Sequence, residues 1–139
     1  MASQIWLITG ASRGLGLAIA QAVVEKGDSV IAAVRNPEHA QKALGDSKRV
    51  FVVAMDVTNS ASVRRAAEAA VARFGKIDVV VNNAGYGLMG AIEELDAPEL
   101  EDVFKTNFFG VCSRSSECSC RTSAPNARAG SSIFLRWAV

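Results

Sequence analysis

The chain has 139 residues, half of them hydrophobic, which is enough for one domain with a buried core. Its formal net charge of +1 gives no reason to expect a nucleic acid or an anionic membrane surface as a partner. No apolar run approaches the roughly 20 residues of a membrane span, and no secretory signal is visible at the N-terminus. We therefore expect a soluble cytoplasmic protein.

The chain begins with a predicted strand, a glycine-rich turn and a helix. An apolar run over residues 5–8 predicts a buried strand, and apolar residues at helical spacing predict a helix over 15–24. Residues 9–16 between them read T-G-A-S-R-G-L-G. Glycines allow positive φ and a close approach to a ligand, and the amino end of a helix attracts anions. The order predicts a phosphate-binding turn, although tight packing of helix against strand would also require these glycines.

Further strands and helices alternate along the chain. Strands are predicted over 29–34, 49–55 and 78–82, and helices over about 38–44 and 60–74. A capping box at Asp96–Glu99 predicts one more helix, which continues to Asn107. The alternation predicts a parallel sheet with right-handed crossovers. The predicted fold class is α/β, a Rossmann-like doubly wound sheet truncated after four strands, with order 3-2-1-4 and helices on both faces.

Two motifs together resemble the short-chain dehydrogenase/reductase family of NAD(P)-dependent oxidoreductases. The first turn has the spacing T-G-x-x-x-G-x-G, and the block Asn82-Asn83-Ala84-Gly85 follows the fourth strand. No G-x-x-x-x-G-K-[ST] is present, which excludes a P-loop as the interpretation of the first turn. The resemblance covers about residues 4–111 and implies metal-free hydride transfer between a nicotinamide cofactor and a small-molecule carbonyl or alcohol. It also implies a homo-oligomer, whose interface helix would be disrupted here from about Asn107.

The cofactor-binding residues implied by the resemblance follow the ends of the strands. They are Gly10, Ser12, Arg13, Gly14, Leu15 and Gly16 in the first turn, Arg35 after the second strand, Asp56 and Val57 after the third, and Asn83, Ala84 and Gly85 after the fourth. NAD-using dehydrogenases usually place an acid after the second strand to bind the ribose 2′-hydroxyl. This chain has no carboxylate there, and Arg13 and Arg35 suit a 2′-phosphate, which favours NADP over NAD. A merely solvated Arg35 is the alternative.

Two of the predicted site residues have a second interpretation. Asp56 resembles the family's acid at the adenine edge, with the Val57 backbone beside it, but it could instead cap the next helix. Asn107, in K-T-N-F-F-G, resembles the family's helix asparagine, which supports a proton relay to the catalytic lysine. The alternative for Asn107 is a hydrogen bond within its own helix.

Composition changes abruptly near Val111. The last 29 residues hold all three cysteines, seven serines, four arginines and no lysine. The family's active-site serine and Tyr-x-x-x-Lys are absent, since the only tyrosine is Tyr86 and no lysine follows Lys105. We therefore predict little or no turnover.

We predict an incomplete NAD(P)-binding domain over 1–110 and a disordered tail over 111–139. Such a tail would leave the outer edge of the fourth strand unpaired.

The tail is explained by a change of reading frame. The genetic code allows only a few codons for each of residues 111–139. When new codons are read from the third base of one codon and the first two bases of the next, the permitted sequences include V-L-A-V-V-R-M-L-L-P-H-L-R-A-Q-R-S-G-R-I-V-N-I-S-S-V-G-G. This resembles the family's missing helix and fifth strand, with its serine in the place of Leu135 or Arg136. We hypothesise a one-phase frameshift near Val111, which would make Cys118 and Cys120 incidental rather than metal ligands. A non-catalytic dinucleotide-binding or regulatory fragment is the alternative function.

Overall fold

The computed structural model describes residues 3–112 and 131–134, in which strands and helices alternate. The main elements are β1 (Ile5–Thr9), α1 (Gly14–Glu25), β2 (Ser29–Val34), α2 (Pro37–Leu44), β3 (Val50–Ala54), α3 (Ser60–Phe74), β4 (Val79–Asn82), α4 (Ala97–Phe104) and β5 (Ser131–Phe134). A short 3₁₀ turn, Ile92–Glu94, precedes α4, and a π-helical turn, Lys105–Phe109, follows it. None of the described helices is both long and apolar enough to cross a membrane.

The strands form one parallel sheet in the order β3-β2-β1-β4-β5. The predicted order 3-2-1-4 is confirmed. The expectation that β4 has an unpaired outer edge is wrong, because β5 pairs with β4 from Val79↔Ser131 to Asn82↔Phe134. The strand β5 has only four residues, the first two of them serines, so its sequence shows no alternation of polar and apolar residues. The ladder itself is formed by backbone groups, which leave no signal in the sequence.

The strand β5 also corrects the predicted disorder of the tail over residues 131–134. For residues 113–130 and 135–139 that prediction lies outside the described residues, as do Cys118 and Cys120. The predicted domain limits, 1–110 and 111–139, stay predictions.

Both faces of the sheet are buried, which explains why the strands are apolar almost throughout. Successive side chains point to opposite faces, so Leu7 packs with α3 while Ile8 packs with α1 and α2. On the α3 face, alanines let the helix approach the strands closely. The buried residues of α3 are Val63, Ala66, Ala67 and Ala70.

The helix ends explain which backbone groups remain open to a ligand. Asn36 and Asn59 cap α2 and α3, accepting the N–H groups of Glu38 and Ser62 at 3.1 and 3.0 Å. The amino end of α1 has no such side-chain cap. The capping box predicted at Asp96 is wrong, because the Asp96 side chain makes no capping hydrogen bond at the start of α4.

Candidate cofactor-binding site

The predicted site residues meet at one edge of the sheet. The turn 10–16 follows β1, Arg35 follows β2, Asp56 follows β3, and Asn83 follows β4. After β1 the chain adds β2 and then β3 on one side of β1, and it then returns to add β4 on the other side of β1. Open α/β sheets bind ligands in the crevice that such a switch point creates at the carboxyl ends of the strands.

A buried hydrogen-bond cluster ties the carboxyl ends of β1 and β4 together. The Thr9 hydroxyl donates to the Val81 carbonyl at 3.4 Å and accepts the N–H groups of Asn83 and Ala84 at 3.0 and 2.9 Å. The Asn83 amide in turn donates to the carbonyls of Thr9 and Gly10 at 2.9 and 3.3 Å. The Asn83 side chain thus joins the end of β4 to the end of β1.

Thr9 was not among the predicted site residues, although it opens the T-G-x-x-x-G-x-G motif. It is completely buried. With three hydrogen bonds to the end of β4, this buried hydroxyl fixes the position of the glycine-rich turn relative to the sheet. The signal that could have identified it is a polar residue at the end of an apolar strand, because a buried polar group needs partners.

The three glycines of the turn have different tasks. A Cβ at Gly16 would overlap the Asn83 amide nitrogen and lie 2.5 Å from the Gly10 carbonyl oxygen. At Gly10, where φ is +68°, a Cβ would lie 3.1 Å from the Ala84 Cα. Gly10 and Gly16 are thus required by tight packing, the second use predicted for these glycines. At Gly14 φ is +56° and a Cβ would meet nothing within 4 Å, so this glycine borders open space.

The amino end of α1 is suited to an anion. Arg13 occupies the N-cap position in an extended conformation and forms no side-chain cap, and the first turn contains no acidic residue. The N–H groups in the first turn of α1 and the helix dipole are therefore available to a ligand. Ser12 is partly buried beside them, and Leu15 is exposed. A phosphate group fits these residues.

Asp56 is held in a tight turn rather than at a helix cap. Its Oδ1 accepts the Thr58 hydroxyl at 2.7 Å and the Thr58 N–H at 2.9 Å, while Asn59 caps α3. The capping alternative for Asp56 is therefore wrong. The Thr58 hydroxyl, then the Thr58 N–H, and finally the Arg35 charge lower the pKa of Asp56 below its ordinary value. Val57 beside it is buried.

Asn107 joins the π-helical turn after α4 to the loop after β4. Its Oδ1 accepts the Tyr86 N–H at 3.1 Å and its Nδ2 donates to the Tyr86 carbonyl at 2.8 Å. The alternative of a bond within its own helix is wrong, because both polar atoms of the amide are used on Tyr86. Asn107 lies in the π-helical turn, and a Cβ at Gly85 would lie 2.8 Å from its Oδ1. Gly85 is thus the residue that lets this loop approach α4.

Comparison with known proteins gives a consistent family. The family model described as short chain dehydrogenase matches residues 4–133. The chain is 46% identical over 111 residues to the oxidoreductase BOA17 of Botryotinia fuckeliana, covering 78% of this chain and 40% of that protein.

Two solved structures are similar over most of the chain. One is the 3-ketoacyl-(acyl-carrier-protein) reductase of Brucella melitensis complexed with NADH, with TM-score 0.77 and 32% identity, covering 82% of this chain and 48% of that one. The other is the alcohol dehydrogenase of Thermococcus sibiricus complexed with 5-hydroxy-NADP, with TM-score 0.78 and 32% identity, covering 84% and 52%. The chain thus spans about half the length of these structures and less than half of the fungal relative. From the motifs, the sheet order and these matches, we conclude that the chain belongs to the short-chain dehydrogenase family.

Proposed function

We propose that this chain forms the cofactor-binding part of an NADP(H)-dependent short-chain dehydrogenase/reductase that acts on a small-molecule carbonyl or alcohol. The observation that carries the proposal is the open space at Gly14, next to the uncapped amino end of α1. The glycine turn would hold the pyrophosphate, because its N–H groups and the helix dipole favour negative charge there. When bound, the nicotinamide supplies the hydride or accepts it.

The remaining residues of the site would position the rest of the cofactor. Asp56 and the Val57 backbone would contact the adenine, and the segment 83–85 would line the cofactor beside β4. Asn107 would act as a supporting residue, because its two bonds to Tyr86 fix the backbone after Gly85. Each of these residues follows the carboxyl end of a strand or contacts a loop that does.

Selectivity for NADP over NAD is assigned to Arg13 and Arg35. Both side chains are exposed at the carboxyl edge, and the residues that end β2, Ala33 and Val34, are buried and apolar. Calorimetric titration with NADP⁺ and NAD⁺, which differ only in the 2′-phosphate, tests the assignment. We expect Arg35→Ala to weaken NADP⁺ binding about tenfold, as for a charge-assisted hydrogen bond, with NAD⁺ binding unchanged. Arg65→Ala, which changes an exposed arginine on α3, is the matched control.

The 139-residue chain is proposed to bind cofactor without catalysing turnover. Family members protonate or deprotonate the substrate oxygen with a tyrosine whose pKa a lysine four positions later lowers, and this sequence has no such pair. A non-catalytic dinucleotide-binding or regulatory fragment is therefore the second candidate function. Oxidation of NADPH by common ketones, at a rate that disappears in a Gly14 variant, would favour the reductase over the non-catalytic fragment and would contradict the proposed inactivity.

The frameshift near Val111 remains a proposal about the gene. It is supported by the change of composition at that point. Sequencing the coding DNA from the Asn107 codon onward tests it. A continuation of the other phase into a serine and Tyr-x-x-x-Lys would support the frameshift, and an early stop codon in that phase would contradict it.

Self-association of the chain is also proposed, on the basis of one apolar surface. Leu100, Phe104, Phe108 and Phe109, on α4 and the π-helical turn, are exposed. Large apolar patches of this kind favour association. Sedimentation equilibrium of the wild-type chain and of Phe104→Ser tests whether this surface forms an interface.

A further inference from the structure

Two oppositely charged side chains follow adjacent strands at the carboxyl edge. Arg35 comes directly after β2, and Asp56 comes two residues after β3. The two strands pair in register up to Val34 and Ala54, and the Met55 N–H continues the ladder by donating to the Val34 carbonyl at 2.9 Å. The ladder therefore fixes the backbones of Arg35 and Asp56 next to each other.

The two charges are held very differently. The Asp56 carboxylate is fixed by the two Thr58 bonds, and the Asp56 N–H donates to the Ser62 hydroxyl at 3.0 Å. Arg35 is exposed, and over residues 3–112 no carboxylate comes within 4.0 Å of it as an ion pair. The Arg35 charge nevertheless contributes to the lowered pKa of Asp56, after the two Thr58 bonds.

We propose that Asp56 is a specificity-determining residue, because its carboxylate competes with a ligand 2′-phosphate for the Arg35 guanidinium. The competition would limit the preference of the site for NADP over NAD. This inference rests on the proposed function and extends it, since it assigns to Asp56 a task distinct from contact with the adenine. A phosphate monoester carries about two negative charges and three acceptor oxygens, so it wins the competition for the guanidinium, but against an opposing attraction.

The substitution Asp56→Asn tests the competition with little change in shape. Asparagine keeps an Oδ1 that can accept both Thr58 bonds, but it carries no charge. We expect the ratio of the NAD⁺ to the NADP⁺ dissociation constant, measured by calorimetry at low salt, to rise about two- to fivefold, the range for an exposed ion pair. Any lost contact with adenine cancels in this ratio, because both cofactors contain adenine.

The expected gain should decline as salt is added, because exposed charges are screened. Asp46→Asn is the charge-matched control. Asp46 precedes β3, at the opposite end of the strand, where it accepts a hydrogen bond from Gln41 at 2.6 Å. The control should leave the ratio unchanged.

A second background decides whether Asp56 acts through Arg35. In a chain carrying Arg35→Ala, the further change Asp56→Asn should leave the ratio unchanged. An equal rise in both backgrounds would show that Asp56 repels the phosphate directly and would overturn the inference, as would an unchanged ratio in the wild-type background. If the folded wild-type chain binds neither cofactor, the proposed function falls and the inference with it, whereas binding without the shift overturns the inference alone.

Discussion

The two ends of the sheet use hydrogen bonds for opposite purposes. At the amino end, Asp28 accepts the Gln4 N–H at 2.9 Å and the Trp6 indole N–H at 3.3 Å, and Asp78 accepts the Ile5 N–H at 2.9 Å. Each of these carboxylates also pairs with a nearby lysine. Protein groups thus satisfy one another, and this end of the sheet holds β1 in place.

At the carboxyl end, hydrogen bonds between protein groups extend only as far as the layer beneath the glycine-rich turn. Thr9 and Asn83 form a hydrogen-bonded cluster beneath the turn, but the amino end of α1 above it has no side-chain cap. Under the proposed function, one sheet thus separates stability from ligand binding. The packed layer fixes the position of the turn, and the layer above it would keep its donors for the cofactor.

The sharpest test of this separation compares Gly16→Ala with Gly14→Ala. A Cβ at Gly16 would overlap the Asn83 amide, so we expect Gly16→Ala to lower the free energy of unfolding by about 3 kcal/mol, as for an overpacked core. A Cβ at Gly14 has open space, so Gly14→Ala should cost only the positive φ, about 1 kcal/mol. Urea denaturation of both variants measures the difference. Equal losses would contradict the assignment of packing to one glycine and ligand access to the other.

The next test removes the Thr9 hydroxyl from the cluster beneath the turn. Thr9→Val keeps the shape of the side chain but leaves the N–H groups of Asn83 and Ala84 without their acceptor, although the Asn83 N–H also reaches the Val81 carbonyl at 3.1 Å. We expect a loss of about 2 kcal/mol in unfolding free energy. Thr9→Ser, which keeps the hydroxyl, is the control and should lose clearly less. If valine were tolerated as well as serine, the cluster would have no structural role.

A smaller effect is expected at Asn107, which lies at the exposed side of the carboxyl end. Asn107→Ala removes both bonds to the Tyr86 backbone, and we expect a loss of about 1 kcal/mol. The loop 85–90 should exchange its amide hydrogens faster, while the amides of β1 and β4 keep their protection. Hydrogen exchange followed by mass spectrometry separates the two regions. Faster exchange throughout the sheet would show that Asn107 supports the core rather than the loop.

The smallest effect is expected at the amino end and depends on pH. The Gln4 N–H, aided by Lys26 and Trp6, lowers the pKa of Asp28 below its ordinary 3.8 against the opposing effect of burial. A carboxyl whose pKa is lowered on folding stabilises the chain above its unfolded pKa, and this contribution is lost as pH falls through the folded pKa. Wild type should therefore be more stable than Asp28→Asn at pH 7, and the difference should narrow below about pH 4. A difference independent of pH would contradict the role of the charge.

The sequence predicted the fold well where periodicity and turn chemistry agree. The bounds predicted for β2 and α3 match those of the structure, because α3 has an apolar stripe and a glycine at its end, Gly75, with φ +82°. The predicted strand order is that of a doubly wound Rossmann-like sheet with right-handed crossovers. The fifth strand could not be predicted, since its pairing depends on backbone groups and on the position of β4.

The site was predicted residue by residue from motifs, and its internal contacts were not. Motif spacing indicated which residues follow the strand ends, but not that Gly16 packs against Asn83 or that Asn107 binds Tyr86. These contacts join residues about 20 to 70 positions apart, and local sequence patterns carry no information on such pairs. The spacing of Asp96 and Glu99 indicated a capping box, but spacing alone does not determine whether the Asp96 side chain turns toward the end of the helix.

The most direct test of the account is a calorimetric titration of the folded 139-residue chain with NADP⁺, run beside Gly14→Val. Valine at a position with φ +56° adds a branched side chain where the phosphate would approach, while the packed layer beneath stays intact. The account predicts saturable binding to the wild-type chain, tighter for NADP⁺ than for NAD⁺, and no detectable binding to the variant, whose circular dichroism still shows a folded chain. Failure of the folded wild-type chain to bind either cofactor, or equal binding by both chains, would contradict it.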